Sequence, residues 1–379
     1  MTAGPRARLV TSAAEIGAAR WNALANPGGN AQPHPFTSHE FFLALEQSGS
    51  ATARTGWQPA HLLLDDNSGL MPLYLKNHSQ GEYVFDHAWA DALERAGGDY
   101  YPKLQCAVPF TPVTGRRLLA RDDAAREALL KAATAAMRQT GASSLHITFP
   151  TAEEWALAGR AGWLQRTGQQ FHWDNRGYAS FDEFLSELSS AKRKTLRKER
   201  EAVRAEGVEF DWLTGRDITE AHWDLFFRFY MDTGSRKWGR PYLTREFFSR
   251  IGDTMSGQIL LVMAKRDGRT IAGALNLLGD GVLFGRNWGA IDYVPFLHFE
   301  ACYYQAIDFA IAAKLKRVEA GAQGEHKLLR GYLPVPTYSA HAIAHPGLRR
   351  AVDEFLAADR AAVAEQMAEL TRHAPFRKN

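Results

Sequence analysis

The side chains best suited to chemistry lie in the second half of the sequence, where predicted strands end and predicted helices begin. One strand ends near Arg286, a later one contains Glu319, and the segment GAQGEHK follows it. Ligand sites of α/β proteins form where strands end, so these segments are expected to face one cleft. The candidates are Arg286, Asn287, Trp288, His298, Glu300, Glu319, Gln323, Glu325, His326, Lys327 and Arg330. Within this set, His298, Glu300, Gln323 and His326 are predicted to line a substrate pocket.

Glu319 is the candidate general base, with Arg286 beside it. Strand alternation in Arg317-Val-Glu-Ala directs one face to the core and the other to the cleft or to solvent. A carboxylate in such a place can accept a proton if burial raises its pKa. A half-exposed strand residue paired with Arg317 or Arg286 is an equally good interpretation. The strand histidines His146 and His172 are predicted to be structural.

A loop in the first half has the composition of a phosphate anchor. The segment PFTPVTGRR leads from a predicted strand toward a helix that begins near Asp123. Gly115 allows close backbone approach, and two arginines can bind phosphate oxygens. The predicted phosphate-binding residues here are Thr114, Gly115, Arg116 and Arg117. A surface turn with two solvated arginines is an equally good interpretation.

Two further groups of side chains suit ligand binding. His87, Tyr100 and Tyr101 in the first half could line a second substrate pocket, although aromatic residues more often belong to a core. A helix opens at Ser180, where Ser180 and Glu183 have capping-box spacing, and runs to about residue 206. Between Lys192 and Arg200 it carries six basic residues and one acid. Lys192, Arg193, Lys194 and Arg197 could bind an anionic substrate, tRNA or anionic lipid, or form a solvated face.

Composition excludes several classes of protein. The 379 residues carry 45 Lys+Arg and 42 Asp+Glu, a net charge of +3 that gives no chain-wide field for nucleic acid. Cys106 and Cys302 lack CxxC spacing, so no cysteine-rich metal site is predicted. The GxSxG, Walker, GxGxxG and HExxH signatures are missing. No apolar run has the length of a signal peptide or a membrane span, which predicts a cytoplasmic protein without integral membrane association. The nearly balanced charge predicts no DNA binding.

The order of elements predicts a mixed α/β protein built as a tandem repeat. Strands and amphipathic helices alternate, and the second half repeats the order of the first. We predict modules at residues 1–175 and 176–379, the second beginning with the basic helix. Trp89 and Trp288 lie 199 residues apart, whereas the strand starts at Leu145 and Arg317 lie 172 apart, so the first module has 27 extra residues. Such a chain is expected to be a monomeric pseudo-dimer with its acceptor cleft at the module interface.

Several segments resemble the FemAB-like family of predicted N-acyltransferases, which is similar to the Fem-type aminoacyltransferases of the GNAT superfamily. They are PHPFTSHEFF, GEYVFDHAWADA, GGDYYPKLQCAVPFTPVTGRRLL, QFHW, AKRKTLRKER, LHFEACYYQAI and GAQGEHKLLRGY, spread from about Pro33 to Tyr338. The resemblance implies two tandem GNAT-like modules, each a mixed, mostly antiparallel sheet flanked by helices.

The resemblance also implies a reaction. An acyl or aminoacyl group passes from a donor, either the thioester acyl-CoA or the ester aminoacyl-tRNA, to an acceptor, the amine of a small molecule or cell-wall precursor. The two pockets predicted above would hold this acceptor, and the phosphate loop would hold the donor. No tightly bound cofactor is expected, and tRNA is a partner if it is the donor. Lys327 and Arg330 resemble basic residues of the Fem enzymes, where a lysine stabilises the reacting ester, and the basic helix resembles an element beside their substrate cleft. The alternative is a non-catalytic GNAT-fold module that binds an anionic ligand or RNA.

Overall fold

The computed structural model describes residues 6–237, 241–321 and 324–377. The chain divides into two compact units. The first unit comprises Met1–Gln169 and Pro336–Glu365, and the second comprises Gln170–Val335 and Gln366–Asn379.

Among the described residues, nine strands and six α-helices lie before residue 175. The strands are β1 (Ala7–Val10), β2 (Trp57–Pro59), β3 (His61–Leu64), β4 (Gly69–Met71), β5 (Leu73–Lys76), β6 (Lys103–Cys106), β7 (Leu119–Ala120), β8 (Ser144–Thr148) and β9 (Leu164–Asp174). The helices are α1 (Ala13–Ile16), α2 (Ala18–Ala25), α3 (His39–Gln47), α4 (His87–Arg95), α5 (Asp123–Gln139) and α6 (Ala152–Arg160).

The remaining elements follow residue 175. The strands are β10 (Val208–Thr214), β11 (Ile259–Arg266), β12 (Arg269–Gly279), β13 (Val282–Ala290), β14 (Arg317–Glu319) and β15 (Leu333–Ile343). The helices are α7 (Phe181–Glu187), α8 (Ser190–Ala205), α9 (Glu220–Lys237), α10 (Arg245–Met255), α11 (Leu297–Phe299), α12 (Gln305–Ala312) and α13 (Pro346–Arg372). A π-helical turn, Glu300–Tyr304, joins α11 to α12, and a 3-10 helix covers Glu325–Arg330.

The first unit contains two sheets. In the larger one the order is β2–β5–β6–β8–β15, with β6 and β8 parallel and the other pairs antiparallel. The smaller, antiparallel sheet has the order β1–β3–β4–β7. One face of the larger sheet packs Leu104 and Leu145 against Leu129 and Met137 of α5. This apolar core follows from the helical spacing of the α5 residues after their Asp122 cap.

The second unit is built on one mixed sheet. Its order is β10–β11–β12–β13–β14–β9, in which only β13 and β14 are parallel, and β9 contributes residues 172–174. Helix α9 crosses β13 closely at Gly289, where an added Cβ would lie 2.2 Å from the backbone of Phe229. Glycine is therefore required at this crossing.

The compact units do not coincide with the predicted modules 1–175 and 176–379. The end of β9 pairs with β14, which groups residues 170–175 with the second unit. The end of β15 pairs with β8, which groups residues 336–365 with the first. The last strand of each half of the sequence therefore joins the sheet of the other half, a long-range pairing that local patterns do not encode.

The predicted basic helix of residues 180–206 is two helices, α7 and α8. The capping prediction agrees with the structure, since Ser180 Oγ accepts from the Glu183 amide at 3.1 Å. Leu188 breaks the helix because its extended backbone pairs with Phe376, and the Ser189 amide donates to the Pro375 carbonyl at 2.9 Å. The pairing of Leu188 with Phe376 therefore outweighs the local helix propensity of this segment.

Candidate active site

Two strands of the second unit stop pairing with each other partway along β13. The parallel pairing of β13 with β14 stops at Phe284 and Glu319, while β13 continues along β12 to Ala290. A bulge opposite Leu275 and Asn276 makes Arg286 the extra residue of β13. Bulges re-aim side chains beside ligand sites, and strand ends are where such sites form.

Glu319 is a buried carboxylate at the point where this pairing stops. It is 8% exposed, and among the described residues its Oε2 atom has no hydrogen-bond partner. Burial raises the pKa of Glu319 to about 7, against the opposing effect of the guanidinium groups of Arg317 and Arg286. A carboxylate with this pKa can both accept and release a proton near neutral pH.

His172 faces Glu319 from the neighbouring strand. The two residues are directly paired in the antiparallel register, and the Nε2 atom of His172 lies 3.7 Å from Oε2 of Glu319. Burial lowers the pKa of His172 to about 3, so its imidazole is neutral. The contact is therefore a polar contact, not an ion pair. The sequence predicts a structural role for His172, and its position beside Glu319 follows only from the pairing of β9 with β14.

Lys327 enters the same region from the 3-10 helix. Its Nζ atom donates to the Gly321 carbonyl at 3.0 Å, and the side chain is buried. Burial lowers the pKa of Lys327 to about 8, and the ammonium contributes to lowering the pKa of His172. Of the three predicted catalytic residues, Arg286 thus acts electrostatically on Glu319, whereas Lys327 acts on the neighbouring His172.

An aromatic cluster contains both histidines of the predicted acceptor pocket. The His298 ring lies 5.3 Å from Trp288 and 5.4 Å from Tyr303, measured between ring centroids. Tyr303 Oη is 2.9 Å from Nε2 of His326. His298 lies in α11, two residues before the π-helical turn that begins at Glu300, and such turns are frequent at functional sites. The predicted grouping of His298 with His326 is present, whereas Gln323 lies outside the described residues.

The family pattern that matches this chain covers residues 12–378, and its description is peptidoglycan biosynthesis and recognition. The chain belongs to the FemAB-like family. The family predicted from the sequence is confirmed, and membership points to acyl transfer as the class of activity. No curated protein matches the FemAB-like chain significantly.

Solved structures share the fold of the FemAB-like chain. FemX matches with a TM-score of 0.57 and 11% identity, over 89% of this chain and 98% of its own. The DUF2156 C-terminal domain of an Agrobacterium fabrum protein named as a lysylphosphatidylglycerol synthetase gives 0.53 and 11%, over 92% and 97%. L-PGS from Bacillus licheniformis gives 0.51 and 13%, over 86% and 98%. The predicted fold class, tandem GNAT-like modules of mostly antiparallel sheets flanked by helices, is confirmed.

Arg330 of the FemAB-like chain supports the fold and does not face a donor phosphate. Its Nη2 atom donates to both carboxylate oxygens of Glu199, at 2.9 and 2.8 Å, and Nη1 donates to the His326 carbonyl at 2.7 Å. Tyr304 Oη also donates to Glu199, and the guanidinium lies 3.5 Å from the ring centre of Phe299. These buried contacts occupy both Nη atoms and hold the guanidinium against Glu199, and the Nε atom, which has no hydrogen-bond partner among the described residues, is itself buried.

Glu300 also turns away from the predicted acceptor pocket. Its carboxylate accepts from Arg200, with Nη2 to Oε1 at 2.8 Å, and from Gln305 Nε2 at 2.8 Å. Arg200 binds Asp308 as well, at 2.6 Å. The π-helical turn places Glu300 against α8, so its role is to bind that helix.

The predicted phosphate loop of the first unit is sealed by its own backbone. Arg117 is 1% exposed and donates to the carbonyls of Thr148 and Val113, at 2.9 and 2.7 Å. Arg116 donates to those of Leu24 and Ala120, at 2.8 and 2.7 Å. The Gly115 amide donates to the Phe149 carbonyl, and the Thr114 carbonyl contacts His34. The phosphate-binding interpretation of Thr114, Gly115, Arg116 and Arg117 therefore does not fit, because these polar groups already have partners.

The remaining predicted acceptor residues belong to the first unit. His87 is exposed and stacks on Phe85, while Tyr100 is buried and donates to Asp86 at 2.7 Å. Tyr101 Oη lies 2.8 Å from Ser79 Oγ. Tyr100 and Tyr101 join a buried polar network, described below.

The basic face of α8 borders two cavities within the second unit. One, of about 370 Å³, is lined by Phe181, Arg197, Arg200, Arg204 and other residues. The second, of about 470 Å³, is lined by Ser190, Arg193, Lys194, Arg197, Lys198 and Glu201. Arg193 also donates to the carbonyls of Ser186 and Leu188, and Arg197 forms an exposed pair with Asp182. Lys194 lines the second cavity, whereas Lys192, two residues earlier on the helix, points in a different direction and lines neither of these two cavities. Among the described helices, none is long and apolar enough to span a bilayer.

Proposed function

We propose that this FemAB-like protein is an N-acyltransferase whose active site lies in the second unit, with Glu319 as general base and Lys327 as the cation at the reacting carbonyl. The observation that carries the proposal is the buried Glu319 carboxylate, with an oxygen unpartnered among the described residues, at the point where β13 and β14 separate. A buried acceptor without a donor costs about 1–3 kcal/mol, which an amine substrate would offset by donating to it.

The proposed reaction uses the protonation states that burial favours. The neutral amine attacks the carbonyl carbon, a C–N bond forms, and Glu319 accepts the proton that the nitrogen loses. Negative charge develops on the carbonyl oxygen, where the Lys327 ammonium stabilises it. The C–S or C–O bond then breaks, and Lys327 supplies the proton to the leaving thiolate or alkoxide. Exchange with solvent restores both side chains.

His172 is proposed to position Glu319. As a neutral imidazole it lies against the carboxylate without neutralising it. It would thereby keep the proton-accepting oxygen directed at the point where β13 and β14 separate. Arg286 is proposed to tune the site, since its charge limits the rise in the pKa of Glu319. Without that charge the base would be protonated at neutral pH.

The basic face of α8 is proposed to bind the phosphates of the donor. Both acyl-CoA and aminoacyl-tRNA carry them, and the cavity lined by Arg193, Lys194, Arg197 and Lys198 has one acid, Glu201. The family description favours a peptidoglycan precursor as the amine acceptor. We place the activity in the cytoplasm, where both kinds of donor are made.

A second candidate function is a non-catalytic module that binds an anionic ligand or RNA through α8. The cavities along this helix favour it, because they would serve binding without any reaction. The two functions differ in product. Incubating the full chain with acyl-CoA and aminoacyl-tRNA panels and with amine acceptors, followed by mass spectrometry, should reveal an amide and free thiol or deacylated tRNA. Ligand retention without any amide product would favour the binding module.

A further inference from the structure

One face of the larger sheet in the first unit is polar and yet buried. Strand alternation places side chains of β5, β6, β8 and β15 on this face, and each is at most 5% exposed. They are Tyr74, Lys76, Lys103, Gln105, Ser144, His146, Thr148, Ser339 and His341. A buried sheet face is normally apolar, as the opposite face of this sheet is. The polar face therefore calls for a functional explanation.

A segment that we call the strap, residues 77–86, contacts this face through polar groups. The Nζ atom of Lys103 donates to Asp86 at 2.5 Å, to Glu82 at 2.8 Å and to Ser79 at 2.7 Å. Lys76 donates to the Gln80 carbonyl at 3.1 Å. Two lysines and two carboxylates make the cluster electrically balanced.

The histidines of the face add no charge. Asp86 accepts from Tyr100, whose hydroxyl lies 3.2 Å from Nε2 of His146. The Nδ1 atoms of His146 and His341 are 2.7 Å apart, so one donates and the other accepts. Burial lowers the pKa of both histidines, that of His146 to about 3. A charged ligand would therefore upset a cluster that is already neutral.

Five buried polar atoms at this face have no hydrogen-bond partner within the described part of the chain. They are Trp57 Nε1, Tyr74 Oη, Glu82 Oε1, Asp86 Oδ1 and Gln105 Oε1, and the side chains that bear them are at most 3% exposed. Lys76 Nζ, at 3.6 Å from Glu82 Oε1, is beyond hydrogen-bond distance. Three of the five can only accept, which requires donors from a partner. Each unsatisfied atom costs about 1–3 kcal/mol.

The missing partner is thus neutral and rich in donors. Trp57 and Tyr74 border the site, and the Trp57 ring is already covered by Lys76, whose Nζ atom lies 3.6 Å from its centroid. Hydroxyl groups on a compact carbon frame meet both requirements. We propose that the buried polar face of the first unit is a binding site for a neutral polyhydroxyl ligand, a sugar or polyol, which the strap covers.

The strap supplies the entry route. Its contacts with the face are hydrogen bonds and ion pairs, which can break while the ligand enters and form again over it, while Tyr83 and Phe85 of the strap are exposed. Tyr83 holds a φ of 60°, a left-handed conformation that a bulky residue rarely adopts. Helix α4, which follows the strap, is anchored by Trp89 and Leu93 in an apolar cluster. Opening is therefore expected in the strap and not in α4.

The test uses the full chain without any acyl donor, so its outcome is independent of the transfer proposed above. Glucose, N-acetylglucosamine and their β-1,4-linked disaccharides are titrated by calorimetry, beside ethanolamine and inorganic phosphate. At least one sugar should bind, and Tyr74→Phe and Gln105→Leu should each weaken it about tenfold, the effect of one hydrogen bond. Tyr293→Phe, at the 88% exposed tyrosine of the second unit, is the control and should bind as wild type does.

Three results would overturn the site. They are the failure of every sugar to bind, binding that survives in both variants, and binding of ethanolamine or phosphate in place of sugar. Hydrogen exchange gives a readout that does not depend on the variants. The bound sugar should slow exchange of the strap amides, and strap amides that exchange as slowly as those of α5 in the free protein would exclude the entry route. If internal waters alone satisfy the five atoms, no sugar will bind and the proposed site is wrong.

Discussion

The imidazole Nε2 of His172 lies 3.7 Å from the carboxylate Oε2 of Glu319, two residues 147 positions apart that strand pairing sets directly opposite each other. One ring is held neutral by burial and one carboxylate has a pKa of about 7. The pair can therefore take up a proton near physiological pH at Glu319 alone, which makes its ionisation visible in kinetics.

The rate of transfer should have a bell-shaped dependence on pH. Glu319 must be ionised, so kcat/KM should rise up to about pH 7, and Lys327 must be protonated, so it should fall above about pH 8. Lys327→Arg keeps the charge but cannot give up a proton, so it should abolish the alkaline limb and lower kcat/KM because the leaving group is no longer protonated, while the acid limb stays in place. A profile that is flat from pH 6 to 9 would exclude both roles.

The stability of the fold should also report on Glu319. Because burial raises its pKa from 4.5 to about 7, the protonated form favours folding, and stability is lost as pH rises from about 4.5 through 7. Glu319→Gln should remove this loss and make the protein more stable at pH 8 by up to about 3 kcal/mol. Urea unfolding at pH 5 and pH 8 measures the difference. Equal stability of variant and wild type at pH 8 would mean that the carboxylate is well solvated.

Arg330 should matter for stability and not for donor affinity. Arg330→Ala leaves the Glu199 carboxylate buried without its partner, and the expected loss is about 3–5 kcal/mol. Arg317→Ala breaks a half-exposed pair with Asp174 and should cost less than about 1 kcal/mol. Thermal unfolding compares the two. An unchanged melting temperature with a raised KM for the donor would restore the phosphate-binding role of Arg330.

Charge on α8 should govern donor affinity in a salt-dependent way. The double substitution Lys194→Glu, Lys198→Glu should raise the donor KM about tenfold at low salt, and the difference should shrink toward high salt. Lys314→Glu, Lys316→Glu changes the same charge at exposed positions after α12 and serves as the control. If both double variants behave alike, net charge and not the α8 face controls binding.

The sequence allowed some of these features to be predicted, for local reasons. Glu319 and Lys327 stand at a strand end and in the following loop, and the pattern of a strand followed by a helix is visible in the sequence. His172 was missed because its role depends on the pairing of β9 with β14, which joins distant parts of the chain. A strand histidine alone gives no signal of what it faces.

The errors have one physical cause. Arg116, Arg117, Arg330 and Glu300 have the residue types that bind substrates, but each is used internally by a carbonyl or an opposite charge. Residue type predicts what a side chain can bind, whereas tertiary contacts determine whether it remains available. For the same reason the buried polar face could not be predicted from the sequence. Lysines in strands, such as Lys76 and Lys103, normally indicate solvent exposure.

The most direct test is a single-turnover assay of amide formation with wild type and Glu319→Gln, each incubated with acyl-CoA and aminoacyl-tRNA panels and amine acceptors at pH 7.5. Wild type should form an amide with at least one donor. Glu319→Gln should form it about 10²–10⁴-fold more slowly while keeping its fold and its donor affinity. Amide formation by Glu319→Gln at the wild-type rate, or no amide from wild type with any donor, would contradict the proposed active site.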